Sequence, residues 1–222
     1  LAEVPDARAR HARRGVPDDV SRATLRDLSL WCAHTRRYLG RPGLCADAFA
    51  WSQEYLRGDL LRLGACQLAP SRFDAPLVAL RHRETGAVTT LARPQRRADG
   101  LTGHPIDPAT GTLRPEPVTL SDARWSVAPA PGDPTLSPRL PSDAPAPLGG
   151  ALDAVARARR AFRETPRPKA VWGVAWLLDP QVRALLPRHE GVRDLQRACH
   201  LFPSTMPEAK TIRRLFGPEA TR

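Results

Sequence analysis

Lysine is almost missing from this 222-residue chain: Lys169 and Lys210 stand alone among 34 basic residues. No arginine run exceeds two residues. The lysine-mixed basic blocks of nucleic-acid-binding arms are therefore missing. Aromatic residues number only twelve, which leaves few platforms for stacking single-stranded bases. Long apolar runs are missing too. No window of about 18 residues is free of charge, so a membrane-spanning helix is excluded. The first twenty residues are charged and hold no apolar signal core. Four cysteines, Cys32, Cys45, Cys66 and Cys199, match no zinc spacing, and a chain of this length needs no disulfides to build a core. They read as reduced, mostly buried thiols of a cytoplasmic protein. No Ser/His/Asp order, P-loop lysine motif or HExxH is present.

What is present is ordinary globular composition, with 41% hydrophobic residues and a formal charge of +11. Abundant Ala, Arg, Pro and Gly match the coding bias of a GC-rich genome. The charge suits anionic ligands in general. The chain begins at Leu1 and ends at Arg222, and both ends read as cut from something longer.

Local patterns predict the elements. Residues 1–14 read as the tail of a helix ending near Gly15. A second helix is expected from an N-cap at Ser21 to a stop at Gly40, with Leu25, Leu28, Trp31 and Thr35 on one face. A third covers Ala46–Arg57, with Phe49, Trp51 and Tyr55 as aromatic contacts. Leu61–Gln67 alternates as a strand. Pro76–Arg83 and Ala87–Arg93 flank the turn Glu84-Thr85-Gly86, so Leu60–Arg93 reads as an antiparallel meander. Half of the 24 prolines lie in residues 93–147, which predicts ordered loop with short extended pieces at Pro117–Leu120 and Thr135–Leu140. Gly149–Glu164 reads as a helix. Ala170–Leu178 (AVWGVAWLL) reads as a strand buried on both faces. Asp179 is expected to cap a following helix with Pro180 in its first turn, and another helix is expected over Val192–Cys199.

The order of several phrases resembles a bacterial family. These are RGVPDDVSRATLRDL (Arg14–Leu28), Gly40 with Gly43-Leu44, Trp51, LRGDLLRLGACQL (Leu56–Leu68), ADGLTGHPIDPATG (Ala98–Gly111), APGDPTLSPRLP (Ala130–Pro141), VARARRAF (Val155–Phe162), AWLLDPQV (Ala175–Val182), LLP (Leu185–Pro187) and Leu195-Gln196. The family is that of the GNAT-like acyltransferase domain-containing proteins. The resemblance implies an α+β chain: the end of a helical N-terminal region over 1–57, then over 58–222 a GNAT-like mixed sheet with packed helices, incomplete at its C-terminus. It implies an acyl-coenzyme A-dependent N-acyltransferase, with acetyl-CoA or another acyl-CoA as co-substrate, a small-molecule or protein amine as acceptor, and no metal.

In such a fold the coenzyme's pyrophosphate rests on a helix start rich in free N–H groups. By position that start is Gly149-Gly150, with a merely flexible helix start as the competing reading. RRADGLTG (Arg96–Gly103) reads as a turn. The family's His-Ile-Pro is Arg139-Leu140-Pro141 here, and its Ser-Trp is Ala175-Trp176. A guanidinium cannot act as the base an imidazole provides. The two tyrosines, Tyr38 and Tyr55, both lie early, away from where the fold places its tyrosine acid. His104, between Gly103 and Pro105 in an expected loop, is the one candidate catalytic residue. Asp107 reads as a turn former, Trp172 and Trp176 as one face of the buried strand, and Cys199-His200 as half a metal site at most. A catalytically impaired binding or regulatory module is the alternative, and an arginine-rich nucleic-acid binder the weaker one.

Overall fold

The computed structural model describes residues 4–44, 46–64, 66–139, 141, 150–162, 166–182 and 190–204. In chain order the elements are α1 Val4–Arg13, α2 Asp18–Leu39, α3 Ala46–Arg57, β1 Leu61–Leu63, β2 Cys66–Arg72, β3 Leu77–His82, β4 Val88–Arg96, β5 Gly100–Pro105, β6 Val118–Ser121, β7 Trp125–Val127, β8 Pro134–Arg139, α4 Ala151–Ala161, β9 Ala170–Val171 and α5 Glu190–Ala198. This is an α+β fold with two sheets. Two compact units divide the chain. One holds the described residues of Leu1–Pro70 and Leu136–Arg167, the other those of Ser71–Thr135 and Pro168–Met206.

In the first unit, α2 starts earlier than its pattern suggested. Pro17, with φ −56° and ψ 146°, occupies the N-cap position, and Asp18 and Asp19 complement the helix dipole. Ser21 is therefore not the N-cap. Its amide already bonds the Pro17 carbonyl inside the helix, and its hydroxyl turns to His11. The stop is where expected: Gly40 is left-handed and its N–H returns to Arg36 O. Leu61–Gln67 is not one strand. A left-handed Gly64 reverses the chain, so β1 and β2 pair antiparallel with Leu61 opposite Leu68 and Leu63 opposite Cys66. Val16, Val20, Leu61, Leu63, Leu68 and Leu136 form one core with Ala154, Ala158 and Phe162 of the α4 segment. Ala7, Leu28, Tyr55, Leu56, Leu60 and Ala69 form another among the three N-terminal helices and the adjoining chain.

The second unit holds a five-stranded sheet in the order β6-β5-β4-β3-β7. Its described pairings are antiparallel. The single meander over Leu60–Arg93 is thus split: β1 and β2 belong to one sheet, β3 and β4 to the other. The proline-rich region yields more strand than its composition suggested. Pro94 is accommodated by a bulge between Ala92 and Gln95, where Arg93 takes φ 50°. RRADGLTG supplies a tight turn and then strand β5 itself. Gly100 is needed there, because a Cβ would stand 2.2 Å from Leu120 O.

The buried strand expected over Ala170–Leu178 is not formed. Only Ala170–Val171 is strand, and Trp176–Leu178 is a 3-10 turn. Val171 and Val174 are exposed. A run of apolar residues cannot by itself tell a buried strand from irregular chain anchored by one large side chain. Here the anchor is Trp172, which packs edge-on against Phe73, stacks on Phe202 and donates to Arg72 O. Asp179 does accept from Gln181 N at 2.8 Å, opening a turn; the helix expected beyond it runs into residues outside those described. Helix α5 follows the expected span closely, and buried Gln196 ties it to the Leu177 and Asp179 carbonyls.

Candidate functional site

Helix α4 begins at Gly150, whose backbone is αR with φ −94° and which makes no side-chain cap hydrogen bond. Gly149 lies outside the described residues. A Cβ at Gly150 would meet nothing within 4 Å. The first-turn amides of α4 therefore have no capping side chain, and the backbone there is open, the arrangement an anion needs.

The last turns of α4 form the second feature. Arg157, Arg159, Arg160 and Ala161 line a cleft of about 530 Å³ together with Gly15, Pro17, Val20 and Leu63. Val20 and Leu63 are buried and give an apolar floor. Arg157 pairs with Asp19 at 3.1 Å. Asp18, also close in sequence, is taken up by Arg8 and Arg22. VARARRAF helped carry the family resemblance, but its doubled arginine in a last helical turn was also the readable signal for this cationic edge.

Arg139, the residue that the resemblance sets against a histidine, is held in place. Its Nη1 and Nη2 lie 2.9 and 3.2 Å from the two oxygens of Glu54. Its guanidinium covers the Trp51 ring at 4.0 Å, and Trp51 stacks on Trp31. This fork and cation–π contact tie β8 to α3. Tyr55, one of the two tyrosines, is 1% exposed and accepts a hydrogen bond from Trp31 Nε1. Burial pushes its phenol up, outweighing that hydrogen bond. It is part of the core; the Tyr38 side chain lies outside those described.

His104 is on strand β5, not in a loop, with Nδ1 3.2 Å from the Arg114 carbonyl. Asp107 accepts from the amides of Ala109 and Thr110. Those bonds hold its carboxyl below the usual range. Cys32, Cys66 and Cys199 are free thiols, each only partly buried rather than sealed in a core, and Cys45 lies outside the described residues. Burial raises the Cys66 and Cys199 thiols, which disfavours the thiolate. His200 is exposed beside Cys199. Among the described residues, no group of three His, Cys, Asp or Glu is arranged to hold a metal ion. Among them too, no helix is long and apolar enough to cross a membrane.

Two buried polar clusters were not read from the sequence. His11, fully buried, sits 2.9 Å from Ser21 Oγ through Nδ1 and 3.1 Å from Tyr55 O through Nε2. The carbonyl can only accept, so Nε2 carries the proton and Nδ1 accepts from the serine hydroxyl. Burial pushes the imidazole pKa down. The pair has the geometry of an activated serine, yet both side chains are closed to substrate. Asp27, 1% exposed, takes Arg62 Nη1 at 2.5 Å and Gln67 Nε2 at 2.6 Å. Neither cluster had a signal in spacing, since partners lie up to 44 residues apart.

Residues 1–58 match the model of the N-acyltransferase N-terminal domain. No curated protein matches the chain. Among solved structures, it is similar over its whole length to an acyltransferase in complex with CoA and 10C-teicoplanin, at 24% identity and a TM-score of 0.60. An acyltransferase with decanoyl-CoA and teicoplanin gives 23% and 0.61, again over the whole chain. One with decanoyl-CoA gives 22% and 0.60. The chain spans about half the length of these structures, 54%, 54% and 53% respectively. Residues 1–58 thus match an N-acyltransferase N-terminal domain, and the fold along the chain is similar to that of these acyltransferase structures.

Proposed function

We propose that the protein is an acyl-coenzyme A-dependent N-acyltransferase of the cytoplasm. The supporting observation is a fold shared along the whole chain with acyltransferases that hold CoA or decanoyl-CoA. Residues 1–57 are taken as the end of the helical region and 58–222 as the GNAT-like acyltransferase domain. The coenzyme's pyrophosphate rests on the Gly149-Gly150 start of α4, where uncapped amides and the helix dipole favour negative charge.

An amine on the acceptor attacks the thioester carbonyl directly. The C–N bond forms, the C–S bond breaks, and the leaving thiolate takes up the proton that the amine gives up, leaving as free coenzyme A thiol. No side chain is assigned as base. Alignment of amine and thioester supplies much of the rate in such a reaction. His104 remains the candidate residue to test. Since one neighbour holds teicoplanin beside decanoyl-CoA, the acceptor panel includes teicoplanin with simpler amines.

A second reading has one observation in its favour. Arg139 is engaged by Glu54 and Trp51 at the position of the family's histidine. A chain so built keeps the fold and coenzyme site as a binding or regulatory module. Thiol release from acetyl-CoA and decanoyl-CoA across the panel separates the two. Release dependent on amine supports the enzyme. Coenzyme-dependent stabilisation without release supports the module, and neither response overturns both. Substituting Gly149 and Gly150 by leucine is expected to abolish coenzyme binding; unchanged affinity refutes that site.

A further inference from the structure

We propose that α1 is a clasp on the end of α3 that acid releases through protonation of His11, while the rest of its unit stays folded. The proposal rests on the N-terminal helices alone and not on the acyltransferase reading. Three side chains, from the last turn of α1 and the residue after it, close on the carbonyls that end α3. Arg10 donates through Nε and Nη2 to Leu56 O at 3.0 and 2.9 Å. His11 Nε2 donates to Tyr55 O at 3.1 Å, and Arg14 Nη1 to Gly58 O at 3.0 Å. These carbonyls lie where helical bonding along the chain runs out, and cations suit that end of the helix dipole. Little else holds α1. Ala7 and His11 are its buried side chains, and Ala7 completes a cluster with Leu28, Tyr55, Leu56 and Leu60. Arg8 also reaches Asp18, but that pair is exposed at both ends, and surface pairs hold little. Beyond α1, Gly15 is left-handed with φ 69°, and Val16 is anchored in the neighbouring core. Lifting α1 about Gly15 therefore breaks few apolar contacts, as in elements that open well below the energy of global unfolding.

Protonation acts at the centre of this clasp. His11 Nδ1 accepts from Ser21 Oγ in the neutral ring. The serine oxygen can accept in its turn, so what the second ring proton adds is charge. The charged groups around the ring offer that charge no free partner. Arg10 and Arg14 are cations of its own segment. Asp59, on the chain after α3, is paired with Arg14. On α2, Asp18 is taken up by Arg8 and Arg22, and Asp19 by Arg157. On α3, Glu54 is paired with Arg139, and Arg57 is exposed. Burial first, and then Arg14 and Arg10, push the imidazole pKa down, against the Tyr55 carbonyl that favours the charged ring. In water the ring takes its proton near pH 6.5. The released helix accepts a proton that the docked one refuses, so release grows as pH falls below about 6.5.

Hydrogen–deuterium exchange of the full-length protein between pH 7.5 and 5.5, corrected for the pH dependence of chemical exchange itself, tests this. Protection of the α1 amides is expected to fall by up to about tenfold per pH unit below about 6.5, the limit set by one proton. The β1–β2 and β3–β4 hairpins should keep their protection. The variants are His11→Gln, whose amide can keep the bond to Tyr55 O, and His11→Asn, whose amide can keep the bond to Ser21. Circular dichroism shows whether each folds, and in a folded variant the fall should vanish. Constant α1 protection in the wild type overturns the clasp. Loss in both hairpins together with α1 is global unfolding and overturns it too. A fall that persists in a folded variant removes His11 from the device. If neither variant folds, NMR of the wild-type His11 ring decides. A ring that stays neutral, or that charges in step with the loss of α1 protection, supports the clasp. A ring that charges while α1 stays fully protected overturns it.

Discussion

Replacing Gly58 by alanine probes how tightly α1 and α3 are locked. Gly58 ends α3 with φ +75°, and a Cβ there would stand 2.8 Å from His11 Cδ2 and 3.1 Å from Nε2. His11 cannot swing aside freely, because it is fully buried and held at both nitrogens by Ser21 and Tyr55. Two costs therefore add. A left-handed backbone with a side chain costs about 1–2 kcal/mol. Overpacking against a fixed ring costs about 1–3 kcal/mol more. Gly40 supplies the control: its φ is +64°, but a Cβ would meet nothing within 4 Å. Gly40→Ala carries the backbone cost alone. Both substitutions reduce unfolded-state entropy alike, so that effect cancels in the comparison. Urea unfolding followed by circular dichroism should show Gly58→Ala less stable than Gly40→Ala by about 1–3 kcal/mol. Adding His11→Ala to Gly58→Ala should recover part of the loss, a coupling readable from the double-mutant cycle. Equal losses for the two glycine variants, or strict additivity with His11→Ala, would refute the collision.

Acid should weaken the same region. The folded His11 pKa is lowered, so the unfolded chain binds the proton first; stability is full above about pH 6.5 and falls as pH drops toward the folded value. A His11→Asn variant should show a flatter stability profile between pH 7 and 5 than wild type in parallel urea titrations. Asp27→Ala should cost about 3–5 kcal/mol, since it leaves the partly buried Arg62 facing an empty carboxylate position; a loss under 1 kcal/mol in chemical denaturation would contradict the assigned network. Arg139→Ala should cost about 1–2 kcal/mol, from a half-buried forked ion pair and a cation–π contact. If Arg139→His raises amine-dependent thiol release, the binding-module reading loses its main support.

Local chemistry was legible at two of the N-terminal helices. Helix α3 occupies the span that its pattern predicts, and Gly40 ends α2 because its backbone, not its neighbours, decides the stop. Ser21 was misread for an equally local reason. A serine at a helix start satisfies the N-cap pattern, but Pro17, four residues earlier, and the two aspartates after it make a better start, leaving the hydroxyl for His11. The Leu61–Gln67 alternation survives a hairpin reversal at Gly64, so periodicity could not distinguish one strand from two. Gly150 was visible as a position at the start of a helix, and α4 does begin there. What holds Arg139 was not, since Glu54 and Trp51 lie far from it along the chain.

The sequence by itself determined the α3 span, the Gly40 stop, the Glu84–Gly86 turn and the family resemblance, because each rests on residues near one another along the chain. Only the tertiary structure decided that β1–β2 and β3–β4 join different sheets, that AVWGVAWLL leaves valines exposed, and that His11, Asp27 and Arg139 find partners 35 to 85 residues away. Those outcomes depend on which buried polar group meets which partner. That pairing is set by the energy of burial, and it leaves no period or spacing in the sequence.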